Sequence, residues 1–260
     1  MIGVAPALDE LNARISEIKG DLKFVALATQ LRPRIGDVVR WEAAGEVIEL
    51  VKQFMNEKSS RPEGVYGPLL VRLLAAFERY MRMLIIQSVE QHASGARTYD
   101  ELPDTISNRN LVLTGRVLAA IDAPRDHLSM DIESLIANLA SCKRGSGSFR
   151  LNPQAFSAIV TGASPMVIEK ALRSVDVSDW WDGVGGNAPL AKLLQTKGAR
   201  ATGDRAHERL KEIWRWRNHL AHGGDEEIAL TESQLSEAID FVGFFSTALD
   251  ATVKKRLVGA

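Results

Sequence analysis

The chain has 260 residues, 45% hydrophobic and 25% charged, an ordinary globular composition sufficient for one large or two modest domains. Its 32 basic and 33 acidic residues leave a net charge of −1, which argues against a protein that coats nucleic acid by bulk charge; any RNA contact must be local. One cysteine, Cys142, excludes a disulfide framework or a cysteine zinc site within one chain and fits a reducing cytoplasm.

The N-terminal stretch MIGVAPALDELNARISEIKG lacks a basic segment leading into an apolar core, so no signal peptide is expected. Over 8–30, Leu8, Leu11, Ile15, Ile18, Leu22 and Val25 recur at steps of three and four, which predicts an amphipathic helix. Val38, Trp41, Val47, Val51 and Phe54 predict a second helix over 37–56. NEKSSRPEGVYGP (56–68) is a breaker and a candidate boundary, giving an N-terminal helical extension over 1–60 and a main helical domain over 61–260. From 68 to about 93 the helical pattern is apolar on more than one side (Leu70, Leu73, Leu74, Phe77, Met81, Leu84, Ile85), as expected of the central helix of a bundle. Arg72, Glu78, Arg79 and Arg82 interrupt it, so it reads as a buried helix and no membrane partner is expected.

Shorter helices are expected over 98–108, 109–122 and 130–142, then a flexible basic loop over 142–153. Helices near 153–161 and 165–174 lead to DWWDGVGGNAP (179–189), read as a loop carrying two adjacent tryptophans. A strong helix runs from about 203 to 222. The last begins at TESQ (231–234), a capping box with Thr231 as N-cap and Gln234 reaching back, and places Leu235, Ile239, Val242, Phe245, Leu249 and Val253 on one face. Its closing KKR (254–256) suits a helix C-terminus. No alternating apolar runs and no internal repeat occur, so the fold class is all-α.

Most chemical motifs fail. DGVGGN lacks the preceding strand and the spacing of a dinucleotide site, and Pro189 makes it a turn. His219, His222 and Asp225 together form the one metal set worth weighing. No cysteine or third histidine stands beside them in sequence, so no metal and no cofactor is expected.

The stretch RWRNHLAHGG (215–224) holds. Ala206, Leu210, Ile213, Arg217 and Leu220 follow one another at steps of four and three, so Arg217 occupies a position where a packing helix would carry leucine or alanine. A guanidinium in such a seam is costly unless paired or aimed into a polar cavity. On the adjacent line, His207, Lys211, Trp214, Asn218 and His222 share a face. Arg217 and His222, five apart, diverge by roughly 140° on a straight helix. They meet only if the last turn unwinds toward Gly223 and Gly224, or if a second chain supplies the counterpart, and this favours a site shared between two protomers.

RNHLAHG resembles the R-[NDH]-x3-H signature of the HEPN superfamily, helical proteins many of which are endoribonucleases. LLAAFERYMRMLI (73–85) and the segment running from FRLNPQAF to DWW (149–181) make the layout most similar to the RiboL-PSP subgroup, over roughly 67–253. The resemblance implies a HEPN-like bundle that dimerises and cuts RNA without metal or cofactor, in the role of a toxin or anti-phage effector restrained by an inhibitory partner. Arg217, Asn218 and His222 would then be catalytic: His222 as general base or acid, Arg217 on the phosphate, and Asn218 orienting either. Some HEPN proteins keep the fold without cleavage, which leaves a non-catalytic RNA- or protein-binding module as the alternative.

Other residues keep two readings. Glu78 and Arg79 either line the cleft or form an intra-bundle ion pair, and Trp214 and Trp216 either stack bases or pack. His219 reads as a structural histidine more readily than as a second catalyst. Residues 200–217 hold six basic and three acidic side chains, a locally positive strip compatible with phosphate.

Overall fold

The computed structural model describes residues 5–31, 62–120, 131–143, 148–222 and 230–258. Among them are ten α-helices and no strand, in agreement with the all-α reading. In chain order these are α1 (Ala5–Leu31), α2 (Pro62–Gly95), α3 (Asp104–Ala119), α4 (Ile132–Ser141), α5 (Pro153–Ser157), α6 (Pro165–Ser174), α7 (Trp180–Gly185), α8 (Ala188–Leu193), α9 (Ala199–His222) and α10 (Glu232–Val258). The helix expected over 37–56 lies outside the described residues, as does the proposed division at residue 60.

The core is built around α2, whose Leu70, Leu73, Leu74, Phe77, Met81, Leu84 and Ile85 are all buried. It packs against α1, α5, α9 and α10, which explains why its apolar surface is wider than one stripe. α10 buries every residue of its expected face, and Phe241 and Ala248 besides, because it is enclosed by α1, α2, α7 and α8. Phe245 of α10 joins the two sides: its ring centroid lies 6.0 Å from that of Phe77 and 6.2 Å from that of Trp180. The capping box forms as expected, with Thr231 N–H donating to Gln234 Oε1 at 2.9 Å and Gln234 N–H to Thr231 Oγ1 at 3.2 Å.

α1 lies on α2 and α10 through Ala7, Leu11, Ile15, Ile18 and Leu22, all buried. Ion pairs rim this contact: Arg79–Glu10 at 2.8 Å, Arg72–Asp21 at 2.7 Å and Lys19–Asp240 at 2.7 Å. Exposed pairs contribute about 0–1 kcal/mol each, so the apolar stripe is what holds α1 in place. No described helix is long and apolar enough to cross a membrane.

Several boundaries differ from the sequence reading. α2 starts at Pro62, so the breaker ends earlier than expected and Pro68 sits inside the helix. Its ring and missing N–H fall near the start of the helix, at the exposed Gly64, while Tyr66 and Leu69 are buried nearby. The pieces 98–108 and 109–122 become a 3₁₀ turn at Tyr99–Glu101 and one continuous helix, α3. Asn110, a breaker by propensity, is fully buried there and accepts the Asn152 N–H at 3.0 Å. The segment expected to be helical to 161 is helical only over α5, and Val160 lies in the turn beyond it. The tryptophan loop is instead two short helices, α7 and α8: Trp180 and Trp181 stack at 3.9 Å, and Asn187 caps α8 by accepting the Leu190 N–H at 3.0 Å.

Candidate functional site

The motif helix α9 is buried along Ala206, Leu210 and Ile213, each 0% exposed. One turn further on, the same seam reaches Arg217, half-buried, and then Leu220, whose Cδ2 would be 3.1 Å from a Cβ built at Gly67 of α2. The greasy seam therefore ends in a cation beside the N-terminal part of the central helix. Gly198, with φ +88°, brings the chain into α9, which begins four residues earlier than the pattern indicated.

Two groups touch the Arg217 guanidinium, and a third bears on it through charge alone. Its Cζ stands 5.1 Å from the centroid of the Trp214 ring, a cation–π contact within the same helical turn. Its Nη1 donates to Asn218 Oδ1 at 3.4 Å, a long bond. The third group is Glu78 of α2. Burial pushes this carboxyl above its ordinary pKa, and the positive charges of Arg82 and then Arg217 oppose that rise. Arg82 Nη2 lies 3.6 Å from Glu78 Oε2, and Arg82 Nε donates to the Val160 carbonyl at 3.4 Å. The result is a part-buried cluster of two guanidinium groups, one carboxyl and an indole.

The predicted residues separate as follows. Arg217, Asn218 and Trp214 come together, and Glu78 pairs with Arg82 while feeling the charge of Arg217. Arg79, one position on from Glu78, points instead to Glu10 of α1. His219 is exposed, and Trp216 carries the guanidinium of Arg209 at 5.1 Å from its ring. His222 is the final residue of α9, and its side chain lies outside the described residues, as do Gly223, Gly224 and Asp225. Because the backbone is helical to His222, positions 217 and 222 remain roughly 140° apart around the axis.

Of the basic strip, Arg209 is taken up by Glu212 at 2.7 Å and Glu237 at 3.0 Å, and Lys211 lies 3.7 Å from Glu208. Arg200, Arg205 and Arg215 are exposed. No group of three or more His, Cys, Asp or Glu side chains able to hold a metal occurs among the described residues.

Arg82 was missed by the sequence reading as a member of the site. The available signal was Glu78-x3-Arg82: two ionisable residues four apart, hence on one face, in a helix otherwise apolar there. Gly162 was also missed. A Cβ built there would sit 2.6 Å from Trp214 Cη2, and no local signal marks that contact.

The chain was compared with known proteins. The family model described as RiboL-PSP-HEPN matches residues 43–255, which takes in α2 to α9 and most of α10 and begins inside the segment read as an N-terminal extension. No curated protein and no solved structure matches.

Proposed function

Because this chain belongs to the RiboL-PSP-HEPN family, we propose that it is an endoribonuclease that cuts RNA without a metal, at a composite site formed by two copies of the chain. The observation that carries the reading is Arg217: a half-buried guanidinium in the apolar seam of the motif helix, held by the Trp214 ring and by Asn218. Glu78 pairs with Arg82 at 3.6 Å, and among the described residues no carboxylate forms an ion pair with Arg217. That leaves donors for a phosphate.

In the proposed reaction the 2′-oxygen of one ribose attacks the adjacent phosphorus, its proton passing to a base, while the bond to the 5′-oxygen breaks and that oxygen takes up a proton. The products are a 2′,3′-cyclic phosphate and a 5′-hydroxyl. His222 serves as the base or the acid, since imidazole titrates near the working pH. Arg217 binds the phosphate oxygens as charge accumulates on them, a task suited to a planar, permanently charged donor. Asn218 orients either partner. Regular helix through position 222 keeps Arg217 and His222 of one chain on diverging faces, so a twofold pairing in which Arg217 of one protomer meets His222 of the other supplies both to one phosphate. A cytoplasmic toxin or anti-phage effector, restrained by an inhibitory protein, is the setting that fits such an activity.

The test is digestion of RNA by the purified protein in EDTA, with end-group analysis, beside Arg217→Ala and His222→Ala. Cyclic phosphate ends from the wild type and their loss in both variants are the expected result. Equal survival of RNA with all three proteins overturns the reading and leaves a non-catalytic module.

A further inference from the structure

We infer that Gly162, in the turn between α5 and α6, is a positioning residue for Arg217 and acts through the ring of Trp214. A Cβ at position 162 would lie 2.6 Å from Trp214 Cη2, 3.2 Å from Cζ2 and 3.3 Å from Cζ3, so the far edge of the indole rests on the glycine itself. The Arg217 guanidinium carbon is 5.1 Å from the centroid of that same ring. The indole is thus a spacer between the backbone of one turn and the cation of the motif helix. It is rigid and turns about only two side-chain bonds, so a methyl group at 162 cannot be absorbed by bending. The ring must swing as a body, and the guanidinium packed against it must follow.

The same turn holds the second arginine. Val160, two residues earlier, accepts from Arg82 Nε at 3.4 Å. One short stretch of backbone, buried at Val160 and Gly162, therefore locates both guanidinium groups, Arg82 through a carbonyl and Arg217 through an indole. Gly162 itself is buried, and its role in this arrangement is the space its missing side chain leaves. A misplacement of about 1 Å in a phosphate-holding group lowers a rate by up to about a hundredfold. This deepens the ribonuclease reading, on which it rests only for its activity readout.

The test uses the full chain with Gly162→Ala, Trp214→Phe and the two combined. Gly162→Ala is expected to lower RNA cleavage by about ten- to a hundredfold, in kcat more than in KM, while still melting cooperatively. The smaller ring in the double variant makes room for the methyl group, so cleavage should recover most of the way to the level of Trp214→Phe alone. Wild-type cleavage by Gly162→Ala overturns the proposal, as does a double variant no better than Gly162→Ala. Failure of the ribonuclease reading is read separately, as absence of cleavage by the wild type. In that case melting temperatures of Gly162→Ala, Arg217→Ala and their combination decide the coupling: non-additive shifts support it and additive shifts overturn it.

Discussion

Gly185 ends α7 where it crosses the start of α9, and replacing it by alanine tests whether the two backbones touch as closely as the fold requires. A Cβ there would overlap the carbonyl oxygen of Ala199, with Ala199 C at 2.8 Å and Gly203 N at 3.0 Å. All three are main-chain atoms, so no rotamer change relieves the overlap. Carbon contacts are comfortable from about 3.5 Å, and the overlapped oxygen is the tightest of the three, so α7 and α9 must part by more than an ångström. That separation loosens Trp180 and Trp181 from Phe245, whose ring lies 6.2 Å and 5.9 Å from theirs. Overpacking costs about 1–3 kcal/mol, and rigid partners place this site at the upper end. The helical gain of alanine over glycine offsets about 0.5–1 kcal/mol. The net loss, about 2–2.5 kcal/mol, lowers Tm by about 4–10 °C in a chain of this size. Gly115→Ala in α3 is the control, since nothing lies within 4 Å of its Cβ position, and it should raise Tm by a few degrees. Thermal melts followed by far-ultraviolet circular dichroism, all at one protein concentration because association would shift Tm, separate the two. If Gly185→Ala melts at or above the wild type, the α7–α9 contact is not the close one described, and the placement of the motif helix loses its main lateral support.

Asn152→Ala should cost about 2–4 kcal/mol in urea unfolding, because it removes an amide that donates to Thr114 Oγ1 and to the Leu135 carbonyl, each at 3.1 Å in a buried setting. A loss below about 1 kcal/mol would mean that this network does not hold α4 in place. Thr231→Ala opens the capping box of α10 and should lower stability by about 1 kcal/mol, measured the same way; no change would mean the cap is idle. For Glu78 the sign follows from its raised pKa: the folded state holds the proton more tightly, so ionisation weakens folding as pH climbs from the ordinary glutamate value through the folded one. Glu78→Gln should therefore melt higher than the wild type at neutral pH, with the difference vanishing in acid. A difference independent of pH would contradict the burial described for this carboxyl.

Local chemistry made much of the fold legible. The periods of α1, α2 and α10 appear in the sequence because each buries a continuous stripe, and the TESQ box marks the start of α10 by side-chain capping. The R-N-x3-H stretch was likewise visible, as was the anomaly of a guanidinium in the Arg217 seam. What stayed hidden depended on partners distant in the chain. The two pieces expected over 98–108 and 109–122 give no sign of the buried Asn110–Asn152 bond, and the tryptophan segment reads as a loop until its stacked rings are seen packed against Phe245.

The site divides in the same way. By itself the sequence determined an all-helical chain with Arg217 and Asn218 near the end of an amphipathic helix, because periodicity and motif spacing are properties of neighbouring residues. Only the tertiary structure decided that Glu78 pairs with Arg82 while Arg79 turns to α1, since one residue along a helix rotates a side chain by roughly 100°. It also brought Gly162 against the Trp214 ring. Such contacts join segments far apart in the chain, and no local pattern encodes the distance at which packed backbones come to rest.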